Sequence, residues 1–230
     1  MDILRELQKE NLKMQEIARR LDVTATEAFR QLERLSAALL VQRQPEGTYA
    51  ITQYGRLMLE FSASMEFLFK HKEYFATHDV WALPPEFVNR LGALSQTTFI
   101  ADTVESLNKG QHMYMEAEQY GWALAEGHIP AFIGPIMAER AEKGLKLRFV
   151  IPESMLSTDA GSSAEKTRNM EIRSLPEIPM IVGLTEKEAA ACFRVVEGRM
   201  DYAGFYGKDT MFLNWAKDLF LYYWNKGKRF

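Results

Sequence analysis

Apolar residues near the start of the chain recur at the spacing of short amphipathic helices. Ile17, Ala18 and Leu21 form one stripe, and Ala28, Leu32, Leu35 and Leu39 form a second. Positions three and four apart share a helix face, so both stripes are expected to turn inward. Between them Asp22-Val23 makes a turn, with Val23 plugging its corner. Thr24 is a good N-cap residue, and Glu27 three positions later is expected to complete a capping box. The period then changes. Leu39–Arg43 is strand-like, Gln44-Pro45-Glu46-Gly47 is a tight turn, and Thr48–Ile51 returns as a second strand. Thr52 caps a further helix, and Gly55 allows close packing in its first turn. Helix, turn, helix and strand hairpin in that order make a winged helix-turn-helix.

The stretch 52–76 has no proline and places Leu57, Phe61, Met65, Leu68 and Phe69 on one stripe, widened by Leu59, Ala63 and Phe67. A lone winged helix cannot cover that surface. It either docks on the rest of the chain or pairs with its copy, and a two-fold homodimer is the expectation. Trp81 and Pro84-Pro85 mark a boundary and begin a short helix. Beyond it, strand-like runs at Thr97–Ala101, Lys146–Ile151, Glu171–Arg173, Met180–Leu184 and Cys192–Val196 alternate with helical runs. The helical runs lie near 103–125, 130–143, 163–169 and 209–225, and the Ser/Thr/Gly-rich Ser157–Ser163 reads as a loop. The expected class is α+β: a winged helix-turn-helix over 1–60, a connecting helix and linker over 61–95, and an α/β sheet domain for effector binding or assembly over 96–230.

With the apolar stripe of the second helix inside, Ala25, Thr26, Phe29, Arg30, Glu33 and Arg34 face solvent or a groove. The N-terminal part of such a helix enters the major groove of a DNA duplex. Thr24, Ala25 and Thr26 begin that helix, and small side chains there let the backbone come close. Arg30 either bonds guanine edges with both guanidinium arms or grips phosphate, and Gln31 addresses adenine if it turns outward. Arg34, a turn further on, suits a phosphate, and Arg43 and Gln44 are the wing contacts. The alternative reading is a winged helix used for protein contacts, without DNA.

Charge narrows this picture. Residues 1–60 hold nine Lys/Arg and nine Asp/Glu within a chain of net charge −3, whereas DNA-binding domains are usually basic. A neutral domain binds duplex DNA if its cations cluster on one face and a dimer doubles the footprint. With 47% hydrophobic and 26% charged residues, the composition excludes general disorder. The charged start of the chain does not read as a signal peptide, and the longest nearly uncharged stretches, such as Ile129–Ala138, are about half a membrane span. A cytoplasmic protein without membrane contact is expected. Cys192 is the single cysteine, which excludes an intrachain disulfide and a multi-thiolate zinc site and reads as a buried structural thiol. His112 and His128 have no carboxylate or cysteine suitably spaced for a metal, so neither metal nor cofactor is expected.

Nineteen of the 27 aromatic residues follow residue 80. Most are expected to fill a core; the alternative is a small-molecule cavity lined by Tyr114, Tyr120, Trp122, Phe132, Phe193 and Tyr202. Arg148, between apolar neighbours, points to such a site or to solvent. Arg199 and Tyr202 lie in a turn-rich stretch near a strand end, where ligand contacts gather.

The run Leu21–Leu40, followed by Tyr49-x-x-Thr52-x-x-Gly55, resembles the winged-helix module of ArsR/MarR-like regulators. It departs from them in a shorter first helix, Asp2–Lys9, and in Ala38 where those modules commonly carry glycine. Phe75-x-x-His78-Asp79-x-x-x-Leu83-Pro84, Gly92-x-Leu94, Glu142–Val150 and Trp215–Trp224 resemble the archaeal methanogenesis-regulator (Fil-type) family. That resemblance implies a transcription regulator whose C-terminal domain senses an unknown small-molecule effector or mediates assembly. The order of elements also resembles one half of the phospholipase-D-like fold. Its chemistry needs His-x-Lys followed by Asp, and none of His71, His78, His112 and His128 begins such a motif, so no enzyme is expected.

Overall fold

A computed structural model describes residues 1–126, 133–155 and 169–229, and the chain divides into two compact units, Met1–Lys70 and His71–Phe230. The first contains α1 (Asp2–Lys9), β1 (Leu12–Lys13), α2 (Met14–Arg20), α3 (Ala25–Ala37), β2 (Val41–Arg43), β3 (Thr48–Ile51) and α4 (Gln53–Lys70). Ile3, Leu4 and Leu7 from α1, Ile17 from α2, Leu32 from α3 and Leu59 from α4 close one core with Leu12, Val41 and Ile51. This is the winged helix-turn-helix, with a third strand added to the expected two. Leu12 pairs with Tyr49 and Lys13 with Thr48, a strand too short to leave a period in the sequence.

The Thr24 Oγ1 caps α3 by accepting from the Glu27 N–H at 3.2 Å, while the reciprocal bond of a capping box is not made. The far end of α3 differs from expectation. Leu39 is not on the buried stripe: it takes a left-handed conformation (φ 59°) and is 70% exposed. The Leu39 N–H donates to the Ser36 carbonyl and the Leu40 N–H to the Leu35 carbonyl, both at 2.9 Å, the paired bonds of a Schellman cap. The left-handed residue is therefore Leu39, one place after Ala38, and the reversal into the wing turns its side chain outward. Helical spacing had run past the end of the helix. Thr52 then clamps this corner, its Oγ1 donating to the Leu39 carbonyl at 2.6 Å and accepting from the Gly55 N–H at 2.8 Å. A Cβ at Gly55 would lie 2.1 Å from the Leu40 carbonyl oxygen, so only glycine lets α4 start here.

In the wing, the Gln44 N–H donates to the Thr48 carbonyl and the Gly47 N–H to the Gln44 carbonyl, with Gly47 at φ 84°. Three loop residues ending in a left-handed glycine suit the twist of a hairpin.

The second unit begins with α5 (Lys72–Thr77), β4 (His78–Asp79), α6 (Pro85–Val88) and a 3₁₀ turn at Leu91–Leu94. It continues through β5 (Thr98–Ile100), α7 (Thr103–Glu116), β6 (Tyr120–Leu124), α8 (Ile133–Glu142), β7 (Lys146–Pro152), β8 (Met170–Leu175), β9 (Met180–Thr185), β10 (Ala189–Val195) and β11 (Gly204–Gly207). The last elements are α9 (Thr210–Lys226) and β12 (Lys228–Arg229). Among the described residues one mixed sheet runs β12-β8-β7-β6-β9-β10-β11-β5, with β4 added beside β10. Only β6–β7 and β7–β8 are parallel. Successive strand residues face opposite sides. On β6, Ala123 packs with Met113 of α7 and Met137 of α8, whereas the Trp122 ring stacks on Phe220 of α9 at 5.1 Å. The sheet thus has an α7/α8 face and an α9 face.

Several sequence expectations change here. The helix expected over 103–125 ends at Glu116, and Tyr120–Leu124 is instead a central strand bonded on both sides. Five apolar residues do not distinguish helix from strand by period alone. The single helix expected over 52–76 is broken at His71, whose ring packs against Phe99 and Phe205 at 5.4 and 5.1 Å. Strand β11, bounded by Gly204 and Gly207, is a further strand beyond those expected. The expected loop Ser157–Ser163, nearly all of the expected helix 163–169, His128 and Phe132 lie outside the described residues. No helix among the described residues is long and apolar enough to cross a membrane.

Candidate functional site

Ala28 and Leu32 are buried along α3, which sends Thr24, Ala25, Thr26, Phe29, Arg30, Glu33 and Arg34 to solvent. Thr26, Arg30 and Glu33 follow one another at helical spacing, with Phe29 beside them. Gln31 is exposed on another flank, where it borders a hollow with Ala28, Leu35 and the start of α1. On the wing Arg43 is exposed and Gln44 half-buried. Pairing of Arg43 with Tyr49 across the hairpin fixes its place on the sheet.

The even balance of charge in this unit is not an even distribution. Glu6 takes Lys9 at 2.6 Å and Arg20 at 3.0 Å, and Glu10 takes Arg20 at 2.7 Å. Arg5 bonds both Asp2 and Glu66. Hydrogen bonds from Lys9 and then Arg20 hold the Glu6 carboxyl below its ordinary range. Four acidic groups are therefore spent on α1, its C-cap and α4. Arg30, Arg34 and Arg43 have no ion-pair partner within 4.0 Å among the described residues. Their charge is available to an outside anion.

A second candidate lies in the C-terminal unit. A cavity of about 110 Å³ opens on the α7/α8 face of the sheet, with Met113 and Tyr114 from α7, Met137 from α8, Val182 from β9, Cys192 from β10 and Tyr202 on its wall. Burial pushes the Cys192 thiol up to about 12. It also raises the Tyr114, Tyr202 and Tyr206 hydroxyls, so all of these groups are protonated at neutral pH.

The five residues expected to bind a ligand are divided by the sheet. Tyr114 and Tyr202 reach the cavity. Trp122 faces α9 instead, and Arg148 packs over the Trp122 and Trp224 rings at 5.4 and 5.2 Å while its Nε donates to Glu171 at 3.0 Å. Arg199 is exposed in the turn between β10 and β11, its carbonyl accepting from the Val195 N–H at 3.0 Å. Of the other aromatic residues suggested for the cavity, Tyr120 neighbours Trp122 at 4.5 Å, and Phe193 packs with Tyr74, Phe75 and Phe205. Among the described residues no group of three or more His, Cys, Asp or Glu could hold a metal ion.

No protein-family model matches the chain, and no curated protein matches it by sequence. Solved structures do. NucT from Helicobacter pylori aligns with 59% of this chain and 99% of its own at 12% identity and a TM-score of 0.51. TrmBL2, an archaeal chromatin protein with a novel mode of DNA binding, aligns with 96% of this chain and 88% of its own at 16% identity and a TM-score of 0.49. Nuc from Salmonella typhimurium, a phospholipase D family member, covers 54% of this chain and 89% of its own at 11% identity and a TM-score of 0.43. At these identities the NucT likeness is one of fold. A match over 59% of the chain exceeds the N-terminal unit, Met1–Lys70, so it draws on the C-terminal sheet domain.

The histidines sit apart from one another in chemical setting. His71 is packed among rings; His112 on α7 is exposed beside Glu116 at 3.3 Å, so, against the sequence expectation, a carboxylate does lie one helical turn from it. His78 is buried, stacked on Tyr74 at 3.7 Å, with Nε2 3.2 Å from Asp201. Sequence reasoning missed Glu126 on the cavity wall and its ion pair to Arg194 at 3.0 Å. Glu126 lies just past β6, so reading Tyr120–Leu124 as helix removed the signal that would have placed it at the end of a central strand.

Proposed function

We propose that the chain is a transcription regulator that binds double-stranded DNA as a homodimer, with α3 in the major groove and the β2–β3 wing against the backbone. The observation that carries this reading is the set of unpaired guanidinium groups at Arg30, Arg34 and Arg43, in a unit whose other arginines of α1 and α2 are mostly neutralised. Arg30 and Thr26 read base edges, with Ala25 and Thr24 allowing close approach. Arg34, Arg43 and Gln44 hold phosphates. Gln31, on the other flank, reaches a base only if α3 lies deep in the groove.

A second copy supplies the partner. Leu57, Phe61 and Met65 follow one another at four-residue steps on α4, and the last two are 65% and 68% exposed. A two-fold pairing along this stripe buries it and doubles the cationic footprint of a neutral domain. The C-terminal domain then serves sensing or assembly. A non-catalytic role fits its histidines, of which His71, His78 and His112 sit in three unrelated settings.

The test is an electrophoretic shift with fragments of the source genome, comparing wild type with Arg30→Ala at several salt concentrations. Preferred fragments, a weakened mutant and a salt slope of several charges are expected. Equal, weak binding by both proteins with one shared slope overturns the assignment of α3. Sedimentation of Phe61→Lys against wild type tests the pairing, which requires a dimer for wild type alone. A protein-interaction module without DNA is the second reading. Exposed Phe29, an apolar ring on the recognition face, favours it, and it predicts no shift with any fragment.

A further inference from the structure

The core of the N-terminal unit is closed by aliphatic side chains, with Tyr49 of β3 packed against it. Phe29 and Tyr49 are the two aromatic residues of positions 1–51, and Phe29 takes no part in that core. It is 46% exposed on α3 and joins no ring contact among the described residues. A ring left partly in water forgoes burial that a partner can still supply.

The neighbours of the ring narrow what that partner is. Thr26, Arg30 and Glu33 share its side of α3, and all three are exposed. The exposed residues of α4 differ, because Leu57, Phe61 and Met65 follow one another as a continuous apolar stripe of the kind that meets another protein surface. Phe29 is instead a single ring set among a hydroxyl, a guanidinium and a carboxylate. The major groove has the matching pattern. Its base edges present hydrogen-bond donors and acceptors and one kind of apolar group, the 5-methyl of thymine. Arg30 suits the acceptors of guanine and Glu33 the amino group of cytosine, which leaves the methyl for the ring.

We propose that Phe29 packs on the 5-methyl group of a thymine in the major groove and makes that thymine a required position of each half-site. This contact rests on the reading of α3 as a DNA-recognition helix, and it adds the base that the ring selects.

The experiment uses the full chain and the fragment that it shifts best. Each thymine is replaced in turn by uracil, which lacks the methyl and keeps every hydrogen-bonding group of the base. At one thymine in each half-site, wild type is expected to lose about fourfold in affinity, the value of one buried methyl group. Phe29→Ala should bind the thymine and uracil forms equally, and Phe29→Leu should keep part of the preference. Arg30→Ala should weaken both forms and keep their ratio. Comparing ratios between proteins cancels any effect of uracil on the duplex itself. Circular dichroism checks that each variant is folded, and Phe29→Leu decides alone if Phe29→Ala is not. Equal affinity of wild type for every thymine and uracil form overturns the proposal and leaves the DNA reading standing. So does a preference that Phe29→Ala keeps in full, which would move the methyl contact to Ala25 and Thr26. No shift with any fragment overturns both.

Discussion

Arg20, on α2, and Arg30, on α3, carry the same group on neighbouring helices of one helix-turn-helix. Arg20 lies between Glu6 and Glu10 at 3.0 and 2.7 Å, and Arg30 touches no carboxylate. The first arginine ties α2 to α1, and the second has no carboxylate within 4.0 Å among the described residues. Net charge hides this division, because a sum over a domain does not record which acids are already engaged. The back of the unit, where α1, α2 and the α3–α4 corner interlock, maintains the fold, and its front presents free cations.

The largest break in that contrast comes from the back. Gly55→Ala places a Cβ against the Leu40 carbonyl oxygen and should destabilise the N-terminal unit by about 3 kcal/mol, the upper part of the range for overpacking, in a denaturant melt. Arg30→Ala should leave that melt unchanged and weaken binding to a preferred fragment roughly tenfold to a hundredfold. Arg20→Ala is its mirror, lowering the melting temperature slightly with no change in DNA affinity beyond its own general charge. Arg43→Ala should weaken all fragments alike, by about threefold, and reduce the salt slope by about one. Leu39→Gly should stabilise by about 0.5–1 kcal/mol, because glycine accepts the left-handed cap without strain and little buried surface is lost.

The smallest effect is in pH. The Glu6 carboxyl is held below its ordinary range by hydrogen bonds from Lys9 and Arg20. The stabilisation is therefore complete above the unfolded carboxylate value, about 4.3, and is lost as pH falls from there through the lower folded value. On acidification below about pH 5 the melting temperature of wild type should drop more steeply than that of Glu6→Gln.

What the sequence made legible follows from where side chains report their surroundings. Ile17, Ala28 and Leu32 are buried because their spacing allows only one shared face, and Thr24 caps because its hydroxyl suits that place. Arg30 and Arg34 could be placed outward for the same reason. Leu39 could not, since nothing in its side chain announces a left-handed backbone. Strand β6 was lost because Tyr120–Leu124 is flanked by strands on both sides, and a buried central strand has no polar face to set its period. The partition of Tyr114 and Tyr202 from Trp122 and Arg148 depends on that same strand, so the cavity was only half legible.

Cys192 carries a practical consequence. It is the single thiol of the chain, it lies 2% exposed on the cavity wall, and burial keeps it protonated at neutral pH. An alkylating reagent reaches it through that cavity or when the cover of β10 parts, so the labelling rate reports the opening of this one region. Mass spectrometry of a single adduct would time those openings without a tag, a mutation or a fluorophore.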